Sequence, residues 1–108
     1  MKLYIGGAFQ GQEELAREEN PGCVLLPDFH EKIREALLCG EDPVEYAERI
    51  FRETPDAVIV ANEIGSGVVP VDPAGRAFRE AAGRALCAVA RRAESVTRCV
   101  CGIGVRIK

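Results

Sequence analysis

At 108 residues, 47% hydrophobic and net charge −3, the chain matches one small domain over 1–108, and its core must come from Val, Ile, Leu and Ala because Trp is absent. No apolar run reaches the roughly 20 residues that cross a bilayer, and "MKLYIGGAFQGQEE" turns polar too early for a signal peptide. Without a Lys/Arg-rich run or enough aromatic residues for a stacking platform, nucleic acid is excluded as a partner, and the expectation is a cytoplasmic protein with no membrane contact.

"KLYIG" (2–6) reads as a short buried strand that runs into a glycine turn. "QEELAREE" (12–19) reads as a helix, broken by "NPG". "CVLLP" (23–27) is an apolar strand of the kind found inside a parallel sheet. "DFHEKIREALLCG" is helical, with Asp28 at the N-cap and Glu31 three residues on, as in a capping box. Phe29, Ile33, Ala36 and Leu37 make its apolar stripe. "EDPVEYAERIFRETP" starts another helix, with Pro43 in the first turn after Asp42 and Val44, Ala47, Ile50 and Phe51 on one face. "DAVIVANEIG" (56–65) is the strongest strand, and "SGVVPVDPAG" follows as a loop. The long helix from Pro73 to Arg92 carries Phe78, Ala82, Ala85 and Val89 at 4-3-4 spacing. "SVTRCVCG" and "VRIK" read as two final strands, with Gly102 and Gly104 allowing a tight turn. Strands alternating with helices imply an α/β fold with a mostly parallel sheet and a C-terminal antiparallel strand pair.

The five cysteines, at 23, 39, 87, 99 and 101, form no C-x-x-C pair and read as reduced thiols packed as small hydrophobes. Only Cys99 and Cys101 are close, and on a strand both would point to one face. Residues 1–60 hold 13 acidic against 6 basic side chains, and residues 61–108 hold 4 against 8. This polarity steers anions toward the C-terminal half or marks solvated helix faces.

The turn "GGAFQGQEE" has the glycine spacing of a phosphate-binding G-x-x-x-x-G-K-[ST] loop at Gly6 and Gly11, but Gln12 stands in place of Lys and Glu13 in place of Ser or Thr. Gly6, Gly7 and Gly11 retain what a backbone amide cradle needs. The cation for the β and γ phosphates and the hydroxyl for Mg²⁺ are missing. A second loop, "NEIGSGVVP", places Asn62 and Glu63 where a central strand ends, near the first turn in such a fold, with Gly65 and Gly67 adding backbone donors. Arg76 and Arg79 enter the long helix on nearby faces, suited to pair with phosphate or with the acidic half of a neighbouring subunit.

The segments "AVIVANEIGSGVVP", "GRAFREAAGRAL" and "VTRCVCGIGVRIK", in that order, resemble the end of the bifunctional adenosylcobinamide kinase/adenosylcobinamide-phosphate guanylyltransferase family of cobalamin biosynthesis. Asn62, Glu63, Gly65, Gly67, Val69 and Pro70 match its first motif. Arg76, Phe78, Arg79 and Gly83 match the second, though Leu86 or a neighbour stands where the family has Asn. Gly102, Ile103, Gly104, Ile107 and Lys108 match the third. The family opens on "GGARSGKS", whose place "GGAFQGQEE" takes.

The resemblance implies a P-loop-type (RecA-like) fold, GTP or ATP with Mg²⁺ as cofactors, and a homo-oligomer, with a trimer permitted. Asp28 corresponds to an acidic Mg²⁺-associated position. The segment carrying the family's guanylylated histidine has no counterpart here. His30, the only histidine, lies outside that motif and reads as an exposed residue at a helix N-terminus. No residue is assigned a catalytic role. Three functions remain open: a weakly active or inactive relative binding a nucleotide or corrinoid, a pseudoenzyme module that joins or regulates another cobalamin enzyme, and an active kinase or nucleotidyltransferase in which Gln12 or a lysine (Lys2, Lys32 or Lys108) substitutes.

Overall fold

The computed structural model describes residues 1–64 and 71–108. In chain order the elements are β1 (Lys2–Gly6), α1 (Gln12–Glu19), β2 (Leu25–Leu26), α2 (Phe29–Leu38), α3 (Pro43–Glu53), β3 (Val58–Asn62), α4 (Pro73–Arg92), β4 (Ser95–Val100) and β5 (Ile103–Arg106). The strands form one sheet in the order β2-β3-β1-β4-β5. β1 lies between β3 and β4 and is parallel to both, with Gly6 opposite Asn62 on one side and Cys99 on the other. β5 returns antiparallel to β4, pairing Val100 with Ile103 and Thr97 with Arg106. This is the expected α/β architecture, a mostly parallel sheet closed by an antiparallel pair.

The hydrophobic stripes decide which helix goes where. Phe29 and Ile33 of α2 and Phe78, Ala82, Ala85 and Val89 of α4 are buried against Leu3, Ile59 and Val96 of the sheet. Ala47 of α3 joins this cluster, with Val44, Ile50 and Phe51 partly buried beside it. Among the described residues the other face has a single helix. Ala16 of α1 packs on Tyr4, Val58, Val60 and Cys99, with Leu15 and Leu25 at the margin.

Helix starts follow their caps. The Asp42 carboxylate accepts from Val44 N at 2.9 Å and Glu45 N at 3.1 Å, and Asp72 accepts from Gly75 N at 2.9 Å, each with Pro at the first helical position. Asp28 corrects the capping-box reading. It precedes α2 in the left-handed region, φ 52° and ψ 43°, and makes no side-chain cap. An N-cap aims its oxygen at the first-turn amides from extended backbone, and the left-handed conformation turns the carboxylate away. β2 is shorter than the apolar run 23–27. Cys23 N is taken by Asn20 O in the preceding turn, and Pro27 has no N–H to pair.

Cys99 and Cys101 do not share a face. Cys99 is buried on β4, whereas Cys101 leaves the strand in the left-handed conformation, φ 52°, followed by Gly102 at φ 77°. Two consecutive positive-φ residues make the two-residue turn that matches strand twist, so the turn sits at Cys101–Gly102. Among the described residues no helix is long and apolar enough to cross a membrane.

Candidate functional site

In open parallel sheets a crevice forms beyond the carboxyl ends of the strands, where the strand order reverses. Here β1 and β3 end side by side at Gly6 and Asn62, and a cleft of about 610 Å³ opens beside them. The 7–11 turn forms its lip, the first turns of α1 one wall, and Val60, Ala61 and Asn62 its floor.

The turn is fixed by close packing. A Cβ on Gly6 would come within 2.6 Å of the Cys99 carbonyl oxygen, so only glycine lets β1 lie this close to β4 there. Gly11 takes φ 81° at the start of α1. The turn is also tied to the β4–β5 hairpin. Gln10 Oε1 accepts from Cys101 N at 2.7 Å, and Gln10 O accepts from Gly102 N at 2.8 Å. Phe9 holds φ 59° and its side chain is fully exposed. A non-glycine residue pays about 1–2 kcal/mol for that conformation.

Gln12 is the centre of the site. It is buried, and its amide nitrogen points into a group of four oxygens: Asn62 Oδ1 at 2.8 Å, Gly7 O at 3.0 Å, Gly6 O at 3.4 Å and Ala61 O at 3.5 Å. A primary amide has two N–H bonds, and both are spent inside the protein. Asn62 is held from two sides, because its backbone N–H donates to His30 Nδ1 at 3.1 Å. That bond puts the ring proton of neutral His30 on Nε2, which lies 3.7 Å from Glu31 Oε1. His30 is therefore a buried brace behind the β3 end, not an exposed residue. Sequence held a signal for it. His30 precedes Ile33 by three residues and Leu37 by seven, the spacing of the buried stripe.

The charge around the cleft has one sign. Glu13, Glu14, Glu18 and Asp28 line it, and among the described residues no Lys or Arg does. Glu13 is in weak contact with Arg17 at 3.8 Å. Gly11 offers no side-chain cap to the first turn of α1. The two carboxylates in that turn, Glu13 and Glu14, take the favourable place at the helix dipole that an external anion would otherwise hold.

Other candidates lie elsewhere. Glu63 stands in an apolar groove with Ile64 and Leu86 on the α4 side of the sheet. Arg76 is exposed and donates to Val71 O at 2.5 Å. Arg79, on α4, lines a groove with Val44 of α3 and Arg84. Neither arginine lines the cleft. Gly65, Gly67, Val69 and Pro70 fall outside the described residues. Among the described residues no three His, Cys, Asp or Glu side chains converge as metal ligands.

Residues 12–107 match the family model for cobinamide kinase/cobinamide phosphate guanyltransferase. The chain belongs to this family. The matched residues run from α1 to β5, and the glycine turn lies just before them. A stretch of 51 residues, 47% of the chain, is 47% identical to the bifunctional adenosylcobalamin biosynthesis protein CobU of Salmonella typhimurium and equally to that of Escherichia coli K12. The aligned stretch covers 28% of each relative. Both activities in the family name draw on nucleoside triphosphates, which sets the question of what this cleft can hold.

Proposed function

We propose that this chain serves cobalamin biosynthesis as a family member with a degenerate phosphate loop, whose cleft holds a corrinoid and whose phosphoryl and nucleotidyl transfer is weak or lost. The observation that carries the reading is Gln12. In a phosphate loop the lysine at this place supplies a full positive charge to the transferring phosphate. Here an uncharged amide fills the place and spends both hydrogens on protein oxygens. Four carboxylates line the cleft, with no Lys or Arg beside them among the described residues. Mg-triphosphate is poorly served by such a lining: phosphate meets like charge, and among the described residues no cationic side chain lines the cleft to meet its β and γ oxygens. A corrinoid suits it better, with a positively charged cobalt centre and a rim of amides that donate to carboxylates and carbonyls. On this reading the turn from Gly6 to Gln12 is a phosphate loop by descent.

The lysines invoked for an active divergent enzyme do not help. Lys108 Nζ caps the α4 C-terminus through Ala90 O and Arg91 O, Lys2 donates to Asn20 Oδ1, and Lys32 does not line the cleft. One observation favours a second reading, an assembly module. Val100, Ile103, Val105 and Ile107 are all exposed on one side of the β4–β5 hairpin. Its partners would be further copies of the chain, a trimer included, or another cobalamin enzyme.

Calorimetric titration with adenosylcobinamide, Mg-GTP and Mg-ATP tests the proposal. The expected result is saturable binding of adenosylcobinamide and none of either nucleotide. Gln12→Lys with Glu13→Ser should strengthen triphosphate binding about tenfold or more, the worth of one restored charge-assisted contact. Micromolar Mg-GTP binding by the unaltered chain would overturn the reading. Absence of all three ligands would leave the assembly module as the function.

A further inference from the structure

A second cavity, of about 480 Å³, lies at the opposite end of the same sheet face, beside the amino ends of β1 and β4. Its floor is the column Ser95 and Thr97. Both residues are more than nine-tenths buried, at 8% and 9% exposure, yet neither hydroxyl has a hydrogen-bond partner among the described residues. Every described side-chain polar atom that is shut off from solvent does have a partner. The two hydroxyls therefore face the cavity itself, each with a donor and two acceptor positions idle.

The walls are ordered and charge-balanced. Tyr4 donates to Glu19 Oε1 at 2.6 Å and accepts from Asn20 Nδ2 at 3.0 Å, and Lys2 Nζ donates to Asn20 Oδ1 at 3.0 Å. Lys2 also lies 3.9 Å from Glu94. Across the floor, Arg106 pairs in register with Thr97 and spends its Nε on Lys108 O. Two cations, Lys2 and Arg106, thus face two carboxylates, Glu19 and Glu94.

We propose that this cavity binds a small zwitterion of the α-amino-acid class. The carboxylate lies toward Arg106 and the two hydroxyls, and the ammonium toward Glu19 and Glu94. A lone anion entering here meets two carboxylates, and a lone cation meets two basic side chains. Only a ligand carrying both signs complements all four groups while giving Ser95 and Thr97 partners. The site is separate from the cleft at Gln12 and does not depend on what that cleft holds.

The test is amide chemical-shift titration of the whole chain with L-serine, with its two halves, ethanolamine and 3-hydroxypropanoate, and with glycerol. L-Serine should give saturable shifts at Ser95, Thr97 and Gly104. Each half-molecule should bind about tenfold more weakly, the loss of one charge-assisted contact, and glycerol should not saturate. Thr97→Val keeps the β-branched shape, and should weaken L-serine about tenfold through the missing hydroxyl. Should that variant misfold, Arg106→Gln on the exposed strand gives the same readout. The proposal is overturned if L-serine produces no saturable shift at these amides, if a half-molecule or glycerol binds as well as L-serine, or if neither variant changes the affinity.

Discussion

The two faces of the sheet were built by different means. Among the described residues, three helices on one face bury seventeen residues in a single apolar cluster, and one eight-residue helix on the other buries five. The difference is made up with polar bonds. Gln12 plugs one end of the α1 face, and the Tyr4–Asn20–Lys2–Glu19 network closes the other. Both cavities discussed above open on this thin side, where backbone and polar groups are not sealed under aliphatic side chains. The thick face fixes the fold, and the thin face leaves room for ligands.

The largest effect that tests this division is Phe29→Ala. Phe29 is fully buried and stacks on Tyr46 at 5.7 Å between ring centres. Its truncation should cost about 3–5 kcal/mol, read as a drop in the urea midpoint at constant slope. On the thin face Asn20→Ala removes the partner of Tyr4, Lys2 and the Ala16 carbonyl, and should cost about 1–3 kcal/mol. If Asn20→Ala proves the more damaging, the polar face carries the fold and the comparison is reversed.

Legibility in the sequence followed the same division. β1, α1 and α4 have the bounds that periodicity and punctuation give, and the stripes Phe29–Ile33 and Phe78–Val89 are buried as read. These features are local and repeat every turn. The site was legible only as a place. The glycine spacing located the turn, but nothing local shows that the Gln12 amide is held by Asn62, fifty residues away. The Asp28 cap failed because a local rule assumes extended backbone, and the chain there is left-handed. The hydroxyls of Ser95 and Thr97 sat in an ordinary strand pattern. Their significance depends on α1 being too short to cover them.

The smallest effects concern Cys99 and protons. The reading of the thiols as packed small hydrophobes holds only for Cys99, which is buried under α1; Cys23, Cys39, Cys87 and Cys101 are exposed. An aromatic disulfide reagent at neutral pH should react quickly with four thiols and slowly with the fifth. Burial, with the Glu19 charge second, pushes the Cys99 thiol up, and Tyr4 is raised by burial and by its bond to Glu19. An acid raised on folding keeps its proton in the native chain after the unfolded chain has lost its own. Native protein then binds more protons than unfolded, and stability falls as pH rises. The thiol contribution is intact below the ordinary thiol range, about pH 8.5, and is lost as pH rises above it, whereas the tyrosine contribution is intact below about pH 10 and is lost only above that. Tyr46, raised mainly by burial on the thick face, adds the same sign. Rate separates the faces where pH does not. Ala85 is fully buried in α4, so a cysteine placed there by Ala85→Cys should react only when the whole molecule unfolds. Cys99 needs only α1 to lift, and its labelling should run ahead of global unfolding in low urea. Equal labelling rates at both positions would mean that α1 and the three-helix face open together.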